Sequence, residues 1–263
     1  MSLLFLLFAL LQPPPQPLDT SKFVTIKPGT LPIIISAPHG GTVAIPGIKE
    51  RQGGTEIAQF VTVRDINTDL LAQQLADALA KKLDGQPYLV VAKFSRKYID
   101  ANRPAQGAYE SKEAKPIYDA YHGALEKACK EVKTKWGRGL LIDVHGQAVR
   151  ADAIFRGTQN GKTTTLLTQR FGSNAIPGPK GFQGMLEAKG YAMLPPSSSN
   201  EKETKFNGGY IVQNYGSHTG YAIDAIQLEF GGHYSGKAKL PKTTEDIAEV
   251  VAEFVKRYVL EGK

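Results

Sequence analysis

Short continuous apolar runs alternate along this chain with longer stretches in which apolar residues recur at helical spacing. Residues 31–37, LPIIISA, hold three consecutive isoleucines between two prolines. Residues 88–94, YLVVAKF, and Gly139–Gln147, GLLIDVHGQ, repeat the form. Runs of this kind are strands buried on both faces. Residues 22–27 predict a short edge strand, and residues 151–156, 191–194 and 221–230 predict three more. On the last of these, Ile223, Ala225, Gln227 and Glu229 share one face, because side chains alternate along a strand.

Helical spacing fills the gaps. Thr62 and Asp65 have capping-box spacing, with Asp in the place of the usual Glu, and Ile66, Leu70, Leu71, Leu75, Ala78, Leu79 and Leu83 form one stripe after them. Residues 109–135 predict helix, in two pieces around Pro116. Residues 163–171 fit strand or helix, and 181–189 a short helix. Residues 195–205, rich in proline and serine, predict a mobile surface loop. Thr243 caps a last helix that runs to about Leu260 and turns Ile247, Val250, Val251, Phe254 and Tyr258 inward. This alternation predicts a single α/β domain over residues 18–263, with a mixed, mostly parallel sheet flanked by helices.

The start of the chain stands outside that domain. Ser2 to Leu11 are almost wholly apolar, and the proline-rich spacer QPPPQP follows. The run is too short to span a bilayer and has the length of a signal-peptide core. It points to export, to the periplasm or outside the cell. A start-site artefact, leaving the protein cytoplasmic, is the other reading. No stable membrane insertion is expected once a signal is removed.

Composition narrows the chemistry. With one cysteine, Cys129, the chain has neither an internal disulfide framework nor a cysteine-rich metal cluster, so a metal would have to use His, Asp and Glu. The five histidines are His39, His122, His145, His218 and His233. The net charge of +7 is scattered, without a basic run interleaved with aromatics. It suits a small acidic substrate better than nucleic acid.

Four polar clusters end strands or lie beside them: PHGG at 38–41, DANR at 100–103, DVHG at 143–146 and QLE at 227–229. Asp143 and His145, at i and i+2, point to the same face of their strand. Strand C-terminal ends are where α/β sheets keep their chemistry. Two histidines and a carboxylate there make a catalytic zinc site with a position open to water. A further carboxylate off the metal serves as general base, and an arginine grips an anionic substrate in bidentate fashion. Of the remaining groups, His122 fits a structural role within its amphipathic helix. His233 fits a structural or solvent-facing one, and Arg64 and Arg96 fit surface or ion-pair roles.

The ordered series SAPHGG, the D-x-x-x-D helix start at Asp65 and Asp69, YIDANRP, LIDVHG, GGYIVQNYG and AIQLE resembles the N-formylglutamate amidohydrolases, over roughly residues 33–234. The resemblance implies a zinc-carboxypeptidase-like fold, a Zn2+ cofactor and hydrolysis of an N-acyl amino acid such as N-formyl-L-glutamate. It implies His39 and His145 as histidine ligands, Glu229 as general base, and Asn102 with Arg103 as the pair that holds a substrate carboxylate. In the related metallopeptidases a glutamate follows the first histidine by three residues. Here that position is Thr42, and Asp65 stands in as third ligand, with Glu56 and Asp69 as alternatives. Asp143 is expected to orient His145 or a neighbouring group. His218, in the loop before the Glu229 strand, is a candidate to stabilise the oxyanion or touch substrate, or else a surface histidine.

Two other functions fit the same residues. One is a carboxypeptidase-like or cell-wall-peptide amidase, which export would favour. The other is a metal-free binding protein that kept the fold, against which Glu229 speaks. Oligomeric state is not legible.

Overall fold

A computed structural model describes residues 18–53 and 59–261. The possible signal peptide and Glu56 therefore lie outside the described residues. Seven strands form one sheet in the order β1-β3-β2-β4-β7-β5-β6. They are β1 (Val24–Lys27), β2 (Ile33–Ala37), β3 (Tyr88–Ala92), β4 (Gly139–Gln147), β5 (Ala153–Gly157), β6 (Ala192–Leu194) and β7 (Ile223–Gly231). The centre β3-β2-β4-β7 is parallel. β1 joins β3 antiparallel, β5 joins β7 antiparallel, and β6 runs parallel to β5. The sheet is thus mixed and mostly parallel, as its apolar runs predict.

Alternation along the central strands divides the core in two. Ile33, Ile35, Leu140, Ile142, Val144, Ile226, Leu228 and Phe230 face a layer containing α1 (Thr68–Leu83), α4 (Thr165–Phe171), α5 (Phe182–Ala188) and α8 (Leu240–Val255). Ile34, Leu141, Ile223 and Ala225 face the opposite layer, which holds α2 (Ala105–Ala108), α3 (Lys115–Trp136) and α6 (Tyr210–Tyr215). One more helical turn, α7 (Gly232–Ser235), follows β7. Burying both faces of a sheet is what makes its strands read as unbroken apolar runs. Among the described residues no helix is long and apolar enough to cross a membrane.

Helix starts depart from the sequence reading. α1 begins at Thr68 behind Asn67, which adopts a left-handed conformation and makes no side-chain cap, so Thr62 and Asp65 form no capping box. Ile66 and Leu70 are exposed, and the buried stripe runs through Leu71, Leu75 and Leu79. The reason lies at Asp65, whose N–H donates to the His39 carbonyl and whose own carbonyl accepts from Thr68. These bonds draw Asp65 out of the helix. α3 and α8 start several residues from their expected places, each with a proline in its first turn, Pro116 and Pro241. Proline is favoured there because its missing N–H has no helical partner to lose. Thr243 is consequently buried inside α8 and does not cap it.

Residues 195–205 are irregular but held. The buried Glu203 carboxylate accepts from the Thr158 and Asn160 amides and the Thr158 hydroxyl, and pairs with Arg156 at 2.8 Å. The expected mobility is met by a four-point clamp.

β7 carries one costly group. Asp224 is buried against α4, accepts from the Leu167 amide, and burial pushes its pKa up to about 6. The native carboxyl keeps its proton from the ordinary value of 3.8 up to about 6 while the unfolded chain releases it. Stability therefore falls as pH rises through that window and stays lower above it. Asp224→Asn keeps an acceptor without the charge. We expect it to be near neutral at pH 4 and to stabilise by about 1–3 kcal/mol at pH 7.5, read from urea midpoints at the two pH values.

Candidate active site

The parallel register of β4 and β7 sets His145 beside Glu229 and Asp143 beside Gln227, and β2 brings Ser36 beside Asp143. These side chains point to the face that Leu141 and Ala225 share. Asp143 is fully buried. It accepts from the Ser36 hydroxyl at 2.6 Å and meets His145 Nε2 at 2.7 Å. That leaves His145 Nδ1 facing Asp65 Oδ2 at 3.4 Å and Glu229 Oε1 at 4.0 Å.

His39 repeats this pattern from β2. Its Nε2 lies 2.7 Å from Asp100 Oδ1, and its Nδ1 lies 3.4 Å from the same Asp65 Oδ2. The two glycines after His39 make its position possible. A Cβ on Gly40 would stand 2.4 Å from the Asp69 amide, and one on Gly41 would stand 2.4 Å from the Lys93 backbone. The chain threads there between the start of α1 and the exit of β3. Asp65 is fixed from the other side by the Gly146 amide, which donates to Oδ2 at 3.0 Å.

Charge follows from this packing. Burial works against charge on Asp65, but the neighbouring imidazoles hold its carboxyl well below the usual carboxylate range. Asp100 is likewise held low against burial, by His39 and Arg96. Burial also opposes a charged His145, yet Asp143 raises its pKa well above the ordinary value. Glu229 goes the other way. Burial, reinforced by Asp65 and Asp143 and opposed by His145, pushes it up to about 8.

A divalent cation fits this set. His39, Asp65 and His145 each offer one ligand atom, all within 4.8 Å of one another. His39 Nδ1 is buried with no hydrogen-bond partner. Of four buried carboxylates, Asp65, Asp100, Asp143 and Glu229, only Asp65 and Asp100 pair with a buried guanidinium, that of Arg96. A carboxylate behind each imidazole fixes the tautomer that turns Nδ1 inward, the usual arrangement behind metal-bound histidines. Two nitrogens and one oxygen leave the open position that catalytic zinc sites keep.

The other expected residues are distributed unevenly. Asp69 is only partly buried on the first turn of α1 and is not in the ligand set. Asn102 is buried and already engaged. Its Oδ1 accepts from the Ile211 amide at 2.9 Å, its Nδ2 lies 3.4 Å from Gln227 Oε1, and a Cβ on Gly209 would collide with it. The amide expected to grip substrate braces the protein instead. Arg103 is partly exposed and donates to the carbonyls of Asn102 and Gln59.

His218 lies in a turn, Ser217–Thr219, ahead of β7, whereas Glu229 is near that strand's end. Six residues at roughly 3.3 Å each, about 20 Å of strand, separate the start of β7 from Glu229. His122 Nε2 donates to the Ala101 carbonyl and its Nδ1 lies 3.1 Å from Tyr215 Oη within a ring of tyrosines, and burial pushes its pKa down to about 4. His233 is exposed.

Asp100 and Gln227 gain roles that the sequence left unassigned, and Arg96, expected in a surface or ion-pair role, takes buried ion pairs. Asp100 backs His39, Gln227 Nε2 donates to Glu229 Oε1 at 2.8 Å, and Arg96 pairs with both Asp100 and Asp65. Asp100 and Gln227 belong to clusters visible in the sequence, but their partners are far away along the chain.

Comparison with known proteins agrees with this geometry. Residues 31–115 match the family described as N-formylglutamate amidohydrolase. N-formylglutamate deformylase of Pseudomonas putida is 27% identical over 87% of this chain and 91% of its own length. That of Pseudomonas aeruginosa is 25% identical over 79% and 83%. The crystal structure of N-formylglutamate amidohydrolase from Ralstonia eutropha JMP134 shares the fold. It superposes with a TM-score of 0.64 over 92% of this chain and all of that one, at 17% identity. Sheet, strand-end site and relatives thus point the same way: the chain is similar to the N-formylglutamate amidohydrolases, in sequence over residues 31–115 and in fold over most of its length.

Proposed function

We propose that this chain hydrolyses the amide of an N-acyl amino acid of the N-formyl-L-glutamate kind, with zinc held by His39, Asp65 and His145 and with Glu229 as general base. The observation that carries the reading is the convergence of both Nδ1 atoms on Asp65 Oδ2, with Glu229 Oε1 4.0 Å from one of them. The curated relatives that span most of the chain are N-formylglutamate deformylases, which supports the substrate class.

Zinc in this site would acidify water and polarise a carbonyl. The chain's own groups do the rest. Gln227 occupies Glu229 Oε1, so Oε2 is free to take the water's proton and hand it to the leaving nitrogen. Asp143 and Asp100 keep the imidazoles oriented. Arg103 pairs with the substrate carboxylate. The net charge of +7 draws an acidic substrate towards it.

Metal content of the purified protein, measured with amine release over N-acyl amino acids and small peptides, tests the proposal. About one zinc per chain with turnover of N-formylglutamate is expected. Zinc with turnover only of peptides would move the substrate to a peptidase or cell-wall amidase. No zinc and no turnover after metal is added would leave a binding protein and end the proposal.

A further inference from the structure

Arg96 occupies a place that no role described so far explains. It is buried where β3 leaves the sheet. Its Nε and Nη2 donate to Asp100 Oδ2 at 3.1 and 2.9 Å, and its Nη1 lies 3.6 Å from Asp65 Oδ1. Asp100 is the carboxylate behind His39, and Asp65 is the carboxylate facing both imidazoles. One planar guanidinium therefore spans the support of one arm of the site and the third arm itself. Its own backbone is held as well, since Arg51 Nε and Nη2 donate to the Arg96 carbonyl at 3.3 and 2.8 Å. The same Arg51 Nη2 reaches the Val61 carbonyl at 2.7 Å, four residues before Asp65.

The division of labour on Asp65 is the telling feature. Arg96 takes the Oδ1 side, while Oδ2 faces His39, His145 and the Gly146 amide. A carboxylate without a partner on Oδ1 could rotate and offer either oxygen, or both. With Arg96 in place it offers Oδ2.

We propose that Arg96 is the positioning residue of the metal site, presenting Asp65 Oδ2 to the cation and fixing His39 through Asp100. The proposal rests on the zinc reading above. Lysine cannot replace it fully, because a single ammonium reaches one carboxylate well and lacks the fork that spans two.

Zinc affinity of the whole chain, measured by competition with a chelating dye, tests it with a readout other than turnover. Arg96→Gln should weaken zinc binding about 10–100-fold, the usual effect of removing an outer partner of a metal ligand. Arg96→Lys should recover part of that loss. Asp65→Asn should weaken binding too, and adding Arg96→Gln to it should cost less than Arg96→Gln costs alone, because only the part of its effect that runs through Asp100 and His39 remains. Unchanged affinity in Arg96→Gln overturns the proposal, and so does full additivity of the two substitutions. If Arg96→Gln fails to fold, Arg96→Lys decides alone. A loss of about tenfold supports the proposal, and wild-type affinity overturns it. A wild-type chain that binds no zinc would instead sink the zinc reading, an outcome distinct from all of these.

Discussion

Glu229→Gln should lower turnover by about 10²–10⁴-fold while leaving metal content near one per chain. The substitution preserves volume and keeps an oxygen for Gln227 to bond. It removes only the ability to take and release a proton. His39, Asp65 and His145 do not depend on Glu229 for their mutual geometry, so zinc should remain. Metal analysis beside steady-state kinetics checks both halves. Turnover within a few-fold of wild type would remove Glu229 from the chemistry. Loss of metal together with turnover would make it a ligand and not a base.

Removing the metal should make the fold pH-sensitive in one direction. Without a cation, burial, reinforced by Asp65 and Asp143, pushes Glu229 up to about 8, from an ordinary 4.5. Its native form thus holds a proton that the unfolded chain has already lost, and stability falls as pH rises across that window. His145 has the same sign. Its raised pKa contributes stability in full below 6.5, and that contribution is lost as pH climbs through the folded value. Asp65 and Asp100, held low, have given their full contribution well below neutrality and do not oppose the trend. Zinc, if held there as proposed, would reverse the balance, because it would replace protons on the imidazoles and compensate the carboxylates. The chelated protein should therefore melt lower at pH 8.5 than at pH 6.5, and the gap from the zinc-loaded form should widen with pH. A loss of about 2 kcal/mol corresponds to roughly 4–8 °C in a chain of this size, well within calorimetric reach. A gap constant across this range would mean that the cluster is not a cation site.

Much of this architecture is legible in the chain before any coordinates. The three mostly apolar runs at 33–37, 88–92 and 139–144, buried throughout, become the centre of the sheet because a strand covered on both sides needs no polar alternation. The pairing of Asp143 with His145 follows from their spacing alone. Asp65 is harder to see. Local spacing makes it a helix cap, and its naming as third ligand comes from the family resemblance; contacts with His39 and Gly146 hold it against the histidines. Asn102 misleads in the opposite way. Its neighbour Arg103 is partly exposed, but the amide itself is spent on the Ile211 backbone. His218 is close to Glu229 in sequence but lies ahead of the opposite end of the same strand, a distinction that needs the direction of β7. Arg96 is legible only as a basic residue, since its two acceptors come from different segments.

The bonds that assemble the site join distant parts of the chain. His39 meets Asp100 across 61 positions, Asp65 meets Gly146 across 81, and Ser36 meets Asp143 across 107. Closing loops of such length costs entropy that only the paired sheet repays. The proposed ligand triad would therefore be absent until β2 and β4 lie side by side, and a cation held by it would be captured only by a chain that has already found its topology. Metal uptake during refolding would then serve as a clock for the β2–β4 pairing, and a chain trapped with the wrong strand order would announce itself by leaving zinc in solution.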